Sequence, residues 1–417
     1  MCSYLSMTKT MDTISETTTL PSSLKIPTIS LAPSDNNTRS DISRAIANAC
    51  VNPGFFQITS HPIKESLLHS FCLSMKQFFS LPKPIKENMR RSGRNSRGYF
   101  DDELTKRRID WKECIDIGSV PRHVGDGSGS LLQDDLQACL DGKNQWPPSD
   151  VAPGFREDVN EYFDACAKLS DEIATLMIEG LASMVSDSSN VELGGSVEDG
   201  TTLSFSARTF LNRTKMKHSS YLRMNHYPPC QSDVMPPPLG ISRHTDAGFL
   251  TVLLQDDDCH SLQVLIGSNI KEEGTWVTVE PTPGALTINT GDMAQVFSGG
   301  IFRAPPHRVV TSSKDRYSAP FFYNPGYDEM IGMSDIVIGN EKQKYLPILW
   351  GYFRALRFAG DLTDWGVDEI QIEHFELNDE DETRPISRHV EKQKIFQEKA
   401  NFEDPFDVGV YQELLTA

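Results

Sequence analysis

From about Lys215 to Tyr327 the chain is written in short runs of Val, Leu, Ile, Thr and Phe, cut every few residues by Pro, Gly or Asp. Runs this short cannot build long helices. Strands at this spacing close on one another as a many-stranded sandwich or barrel. Helical periodicity precedes the block. "TRSDISRAIANAC" carries Ile42, Ile46 and Cys50 on one face, and "KESLLHSFCLSMKQFFSLP" is amphipathic up to its stop at Pro82. Between Phe155 and Val185, Tyr162, Cys166, Leu169, Ile173, Leu176 and Ile178 form the broad apolar stripe of a long helix. After the block, "KQKYLPILWGYFRALRFAGD" reads as helix again. The chain therefore divides into a flexible leader (1–24), a helical N-terminal region (25–213), a strand-rich core (214–328) and a C-terminal helical extension (329–417). The expected class is mixed α+β.

With 58 acidic against 40 basic residues the formal net charge is −18, which argues against nucleic acid or an anionic membrane as partner. No apolar run approaches the ~20 residues of a membrane span, and the polar N-terminus lacks the apolar core of a secretory signal. The eight cysteines are scattered, with no CxxC pair, and read as free thiols of a reducing compartment. A cytoplasmic protein acting on small molecules, monomeric or weakly oligomeric, is expected.

The chemistry centres on "GISRHTDAGFLTVLLQ". If this stretch is extended, His244 and Asp246 point the same way at the head of an apolar run. Alone, such a pair is more often a salt bridge at a strand end than half a metal site. His307, in "FRAPPHRVVTSS", opens a second β-branched run after a Pro-Pro stop. Two histidines and one carboxylate match the facial triad that holds non-haem Fe(II) and leaves coordination positions open. Downstream, Arg316 and Ser318 in "DRYSAPFFYNP" share a strand face, and a guanidinium fork beside a hydroxyl suits a carboxylate. Upstream, "YLRMNHYPPC" sets Arg223, Asn225 and Tyr227 on one face. Arg223 then either receives a substrate carboxylate or bridges an internal Asp or Glu. Phe322 is a candidate substrate wall or ordinary core, and Tyr99 in "RGYF" a candidate for the rim.

In order, "NHYPPC", "HTD", "SLQVLI", "TWVTVEPTPGALTINTGDMAQVFSGG", "PPHRVV" and "RYS", preceded by "IPTISL", "GFFQITSH", "QFFSLP", "RGYF" and "DWKECIDIG", resemble the isopenicillin-N-synthase-like branch of the Fe(II)/2-oxoglutarate-dependent dioxygenases over about Lys25 to Tyr327. The resemblance implies a double-stranded β-helix (jelly roll) core buttressed by helices. It assigns His244, Asp246 and His307 to iron, Arg316 and Ser318 to the distal carboxylate of 2-oxoglutarate, and Tyr227 and Asn225 to further cosubstrate contacts. It implies use of O2 and 2-oxoglutarate to attack an unactivated C–H bond of a small metabolite, with hydroxylation, desaturation or ring closure as outcome. The alternative is a four-electron oxidase of the isopenicillin-synthase kind that does not use 2-oxoglutarate. Two departures stand out: His226 replaces the usual middle tyrosine of "NYYP", and "FSGGIFRAPPH" replaces the common approach to the second histidine.

Overall fold

The computed structural model describes residues 25–34, 37–105, 108–119, 141–189, 205–230, 238–256, 258–269, 272–332, 343–362, 369–377 and 386–402. The leader 1–24, most of the acidic stretch near 380 and the end of the C-terminal extension lie outside these.

Two sheets form the core. The larger has eight strands in the order Thr28–Ser30, Phe55–Thr59, Leu286–Thr290, Leu250–Gln255, Arg316–Tyr323, Tyr221–Tyr227, Glu113–Gly118 and Gly98–Phe100. The smaller has four: Glu272–Thr278, Leu262–Asn269, His307–Val310 and Leu239–His244. Apart from the consecutive pair Leu262–Asn269 and Glu272–Thr278, most neighbours in space are distant in sequence, as in a jelly roll, with Leu250–Gln255 and Arg316–Tyr323 antiparallel at the centre of the large sheet.

The Arg316–Tyr323 strand shows why its sequence reads as nearly continuous apolar residues. It is covered on both faces. Tyr317, Ala319, Phe321 and Tyr323 alternate outward. Phe321 meets the ring of Phe163 on the helix Phe155–Ser189 edge-on at 4.9 Å, and the Tyr323 hydroxyl donates to Asp171 at 2.5 Å. Arg316, Ser318, Pro320 and Phe322 face inward and line a cavity between the sheets. A small apolar cluster drawn from both sheets, including Phe55, Leu253, Val264 and Val309, packs between them, and Phe55, Leu253 and Val309 also line the cavity.

The helices bury the stripes read from sequence. Ile42, Ile46 and Cys50 are buried on Arg39–Val51, whose start is fixed by a Thr38–Asp41 capping box. Tyr162, Cys166, Leu169, Ile173, Leu176 and Ile178 are buried on Phe155–Ser189. The C-terminal stretch differs from expectation. Gln343–Leu349 is not helical: Ile348–Leu349 pairs with Met330–Ile331 in a two-stranded sheet, and the helix spans only Trp350–Leu362. Pro347 disfavours helical backbone just before it and has no N–H to donate, so the helix starts late. Among the described residues no helix is long and apolar enough to cross a membrane.

Candidate active site

His244 ends one strand of the small sheet, and His307 begins its neighbour. The two are direct cross-strand partners, with ring centroids 4.2 Å apart. Asp246 is not on a strand, contrary to the expectation of one extended His-x-Asp segment. The strand stops at His244, and the apolar run begins a separate strand, Leu250–Gln255, in the other sheet. Asp246 sits in the crossover, whose backbone is pinned from outside: Asp292 N–H donates to the Asp246 carbonyl at 2.8 Å and Met293 N–H to the Gly248 carbonyl at 3.0 Å. Convergence survives because the loop, not the pleat, aims the carboxylate.

Each of the three side chains is held from behind. His244 Nδ1 lies 2.8 Å from the Ser242 carbonyl and His307 Nδ1 lies 3.2 Å from the Pro305 carbonyl. A carbonyl can only accept, so both Nδ1 atoms carry the proton and both Nε2 lone pairs face the centre. Asp246 Oδ2 accepts from Thr251 Oγ1 at 2.5 Å and from Asn289 Nδ2 at 2.7 Å. Its Oδ1 is left 3.7 Å from His244 Nε2 and 3.5 Å from His307 Nε2. All three ligand atoms lie within 4.8 Å of one another.

The electrostatics suit a cation. Burial alone would push the Asp246 carboxyl up, but the His307 and His244 imidazoles and the Asn289 amide hold it well below the usual carboxylate range. Burial and the neighbouring His307 push His244 down to about 3, so it is a neutral donor. Burial opposes protonation of His307, and the Asp246 carboxylate outweighs it and raises the imidazole. An anionic oxygen and two imidazole nitrogens, each with an orienting partner, form a donor set for a first-row divalent metal.

On the opposite wall of the same cavity lies Arg316, buried to 2% exposure. Its Nη1 is 3.4 Å from Ser318 Oγ, and its guanidinium covers the Tyr227 ring at 4.7 Å. Asn225 donates to Ser318 Oγ at 3.3 Å. Among the described residues Arg316 makes no ion pair, and its Nε has no hydrogen-bond partner. A buried guanidinium facing a cavity without a counter-charge is costly unless an anion enters. Such a group is suited to receive the carboxylate of a ligand.

Comparison with known proteins agrees. Residues 218–325 match the 2OG-Fe(II) oxygenase superfamily, and residues 26–149 match a region described as non-haem dioxygenase in morphine synthesis N-terminal. The 2-oxoglutarate-dependent dioxygenase citB of Monascus ruber is 30% identical over 324 residues, covering 74% of this chain and 87% of that protein. The chain belongs to the Fe(II)/2-oxoglutarate-dependent dioxygenases. Jasmonate-induced oxygenase 2 of Arabidopsis thaliana is 29% identical, with 80% of this chain and 79% of that protein covered. The structure of JOX2 in complex with 2OG, Fe and JA is similar at a TM-score of 0.60 and 28% identity, covering 80% of this chain and 86% of that one. A full-length Neurospora crassa protein, solved with alpha-KG and thymine, shares the fold at a TM-score of 0.63 and 23% identity over 81% of this chain and 98% of that one. These likenesses support the 2-oxoglutarate-dependent enzyme rather than the four-electron oxidase.

The remaining sequence-predicted residues divide. Arg223 does face the oxygenase cavity, but its guanidinium is fully occupied: Nε and Nη2 grip Asp116 at 2.8 Å each, and Nη1 reaches both Glu103 oxygens at 2.9 Å. The internal-bridge reading therefore replaces the substrate-carboxylate reading. Phe322 lines the cavity, stacked on Tyr221 at 4.7 Å. Tyr99 does not line it: the ring is buried in the main core, and its hydroxyl donates to Glu113 at 2.8 Å. His226, the departure from the usual motif, points away from the cavity and bridges Glu113 and Asp315, 2.8 Å from each.

Sequence reading missed three kinds of contributor. Thr251 and Asn289, which hold Asp246, are polar residues inside strands that read as apolar. Lys112, buried between Glu103 at 2.6 Å and Asp110 at 3.0 Å, belongs to a strand-spaced series (Asp110, Lys112, Asp116) whose period-two polarity was the available signal. The third is the C-terminal helix. Trp350, Arg354, Arg357 and Asp361 recur at helical spacing, and all four face the cavity.

Proposed function

We propose that His244, Asp246 and His307 hold Fe(II), that Arg316 and Ser318 bind the distal carboxylate of 2-oxoglutarate with Asn225 and Tyr227 shaping its seat, and that a small metabolite occupies the rest of the cavity. The observation that carries this reading is the unpaired, buried Arg316 guanidinium facing the same space as the His-Asp-His set. Iron with 2-oxoglutarate supplies O2 activation coupled to decarboxylation, and so the oxidation of an unactivated C–H bond.

The chain's own residues orient and exclude. The Ser242 and Pro305 carbonyls fix which nitrogen of each histidine is offered, and Thr251 with Asn289 fixes which oxygen of Asp246 is offered. Arg316 and Ser318 set the distance of an elongated diacid from the metal position by holding its far end. Phe322, Tyr221 and the Trp350–Leu362 helix wall the remaining space from solvent. Hydroxylation, desaturation and ring closure share this machinery, and the pose of the substrate selects among them. A relative named as a flavonoid 7-O-demethylase and a similar structure solved with 2OG, Fe and JA support a role in secondary metabolism. The six described cysteines are free thiols, which supports a cytoplasmic site of action.

The test is anaerobic. Fe(II) and then 2-oxoglutarate are added to metal-free protein, and the visible charge-transfer absorption of a chelated keto acid is recorded. The band is expected in the wild type and lost in Arg316→Ala at matched cosubstrate. Iron binding without a band would overturn the 2-oxoglutarate assignment, and failure to bind iron would overturn the triad.

A further inference from the structure

Charged residues line part of the cavity or stand behind its wall, and their inventory of pairs is uneven. Arg223 is held by Asp116 and Glu103. Arg91 lies 3.5 Å from Glu103, and Lys112 bridges Glu103 and Asp110. On the C-terminal helix and its flank, Arg354 pairs with Asp141 at 3.1 Å, and Arg357 pairs with Asp292 at 2.9 Å and with Glu369. Each of these cations already has a carboxylate partner. One carboxyl group is left over. Asp361, on the cavity-facing side of the Trp350–Leu362 helix, makes no ion pair and no hydrogen bond among the described residues.

We propose that Asp361 anchors the substrate and that the substrate it anchors carries a basic nitrogen. The inference rests on the oxygenase reading of the cavity and deepens it. A substrate carboxylate entering here would compete with the internal carboxylates that already pair with Arg223, Arg354 and Arg357, and would weaken buried pairs. An ammonium instead completes the inventory, since it pairs with the carboxyl left without a partner among the described residues. The stacked Tyr221 and Phe322 rings on the same cavity add an aromatic wall that suits a cation or an aromatic amine.

The surroundings of Asp361 give the pairing a pH signature. Burial, then Glu103 and Glu369, push its carboxyl up to about 7, against Arg223 and Arg91, which pull it down. Arg354 and Arg357 face it from its own helix. In the empty cavity the group is therefore largely protonated on the acid side of neutrality. An ammonium ligand must release that proton to bind.

The full-length protein, loaded anaerobically with Fe(II) and 2-oxoglutarate, is titrated by calorimetry with phenethylamine and tryptamine and with their carboxylate counterparts hydrocinnamate and indolepropionate. The amines are expected to bind at least about tenfold more tightly than the acids. Their affinity should rise about tenfold between about pH 6 and about pH 8, as Asp361 ionises. Asp361→Asn should abolish both the preference and the pH dependence, with Asp361→Ser as a second variant should the first misfold. Amines that fail to bind, acids that bind as well, or an Asn variant that keeps the preference would overturn the inference. The charge-transfer band is read in the same samples. A band with no amine preference sinks this inference alone, whereas an absent band sinks the oxygenase reading beneath it.

Discussion

Asp246 offers one oxygen to the metal position because its other oxygen is tied twice, and that arrangement can be cut without touching a ligand. Thr251, Asn289 and Asp246 are all buried, so water does not readily replace a lost donor. A hydrogen bond to a charged group contributes about 1.5–3 kcal/mol. Loss of such an orienting partner behind a metal ligand typically weakens metal binding about 10–100-fold, or about 1.4–2.8 kcal/mol. Asn289→Leu keeps the volume and removes the 2.7 Å donor, and Thr251→Val removes the 2.5 Å donor. Each is expected to weaken Fe(II) binding to the metal-free protein within that range, measured by anaerobic calorimetry with the fold checked by circular dichroism. Asp246→Ala, as control, should abolish binding. Wild-type Fe(II) affinity in both folded variants would refute the argument that the carboxylate is aimed from behind.

Arg223→Ala should act on stability before it acts on substrate, because it strands Asp116 and takes one of the cations from Glu103. A loss of about 3–5 kcal/mol is expected, seen as a lowered Tm, and an unchanged Tm with a raised KM would restore the substrate role. Burial disfavours the His226 cation, but hydrogen bonds to Glu113 and Asp315 outweigh it and raise the imidazole above its ordinary value of 6.5. Its contribution to stability is thus complete below about 6.5 and lost as pH rises through the higher folded value. The Tm advantage of wild type over His226→Gln should shrink between about pH 6 and about pH 9, and a constant advantage would contradict the pairing. Gly180 lies where the long helix crosses the helix Arg39–Val51. A Cβ there would collide with the Ser43 carbonyl oxygen, so Gly180→Ala should cost about 1–3 kcal/mol in a denaturant titration.

Periodicity made the helices and the strand-rich core readable because burial on one face imposes it directly. Motif order made the candidate His-Asp-His set and the neighbouring Arg316 and Ser318 readable. What escaped depends on long-range pairing. Nothing local says that the strand ends at His244 and that Asp246 is aimed by a loop pinned to Asp292 and Met293. Arg223 illustrates the same limit: its face was legible, but whether an inward cation meets a ligand or Glu103, 120 residues away, is decided by tertiary packing. The late start of the C-terminal helix turned on Pro347 and a strand pairing with Met330–Ile331, a local stop signal that a strong apolar pattern overrode in the reading.

The Trp350–Leu362 helix lies outside both stretches matched to the family, 26–149 and 218–325, yet it supplies four residues to the cavity wall. Part of the wall around the substrate space is thereby carried by a length of chain separate from the one that carries the His-Asp-His set. A change at Arg354 or Asp361 alters what is held before the metal without disturbing the strands that hold the metal. Substrate range in such a scaffold can drift through its tail while the oxidative chemistry is inherited intact.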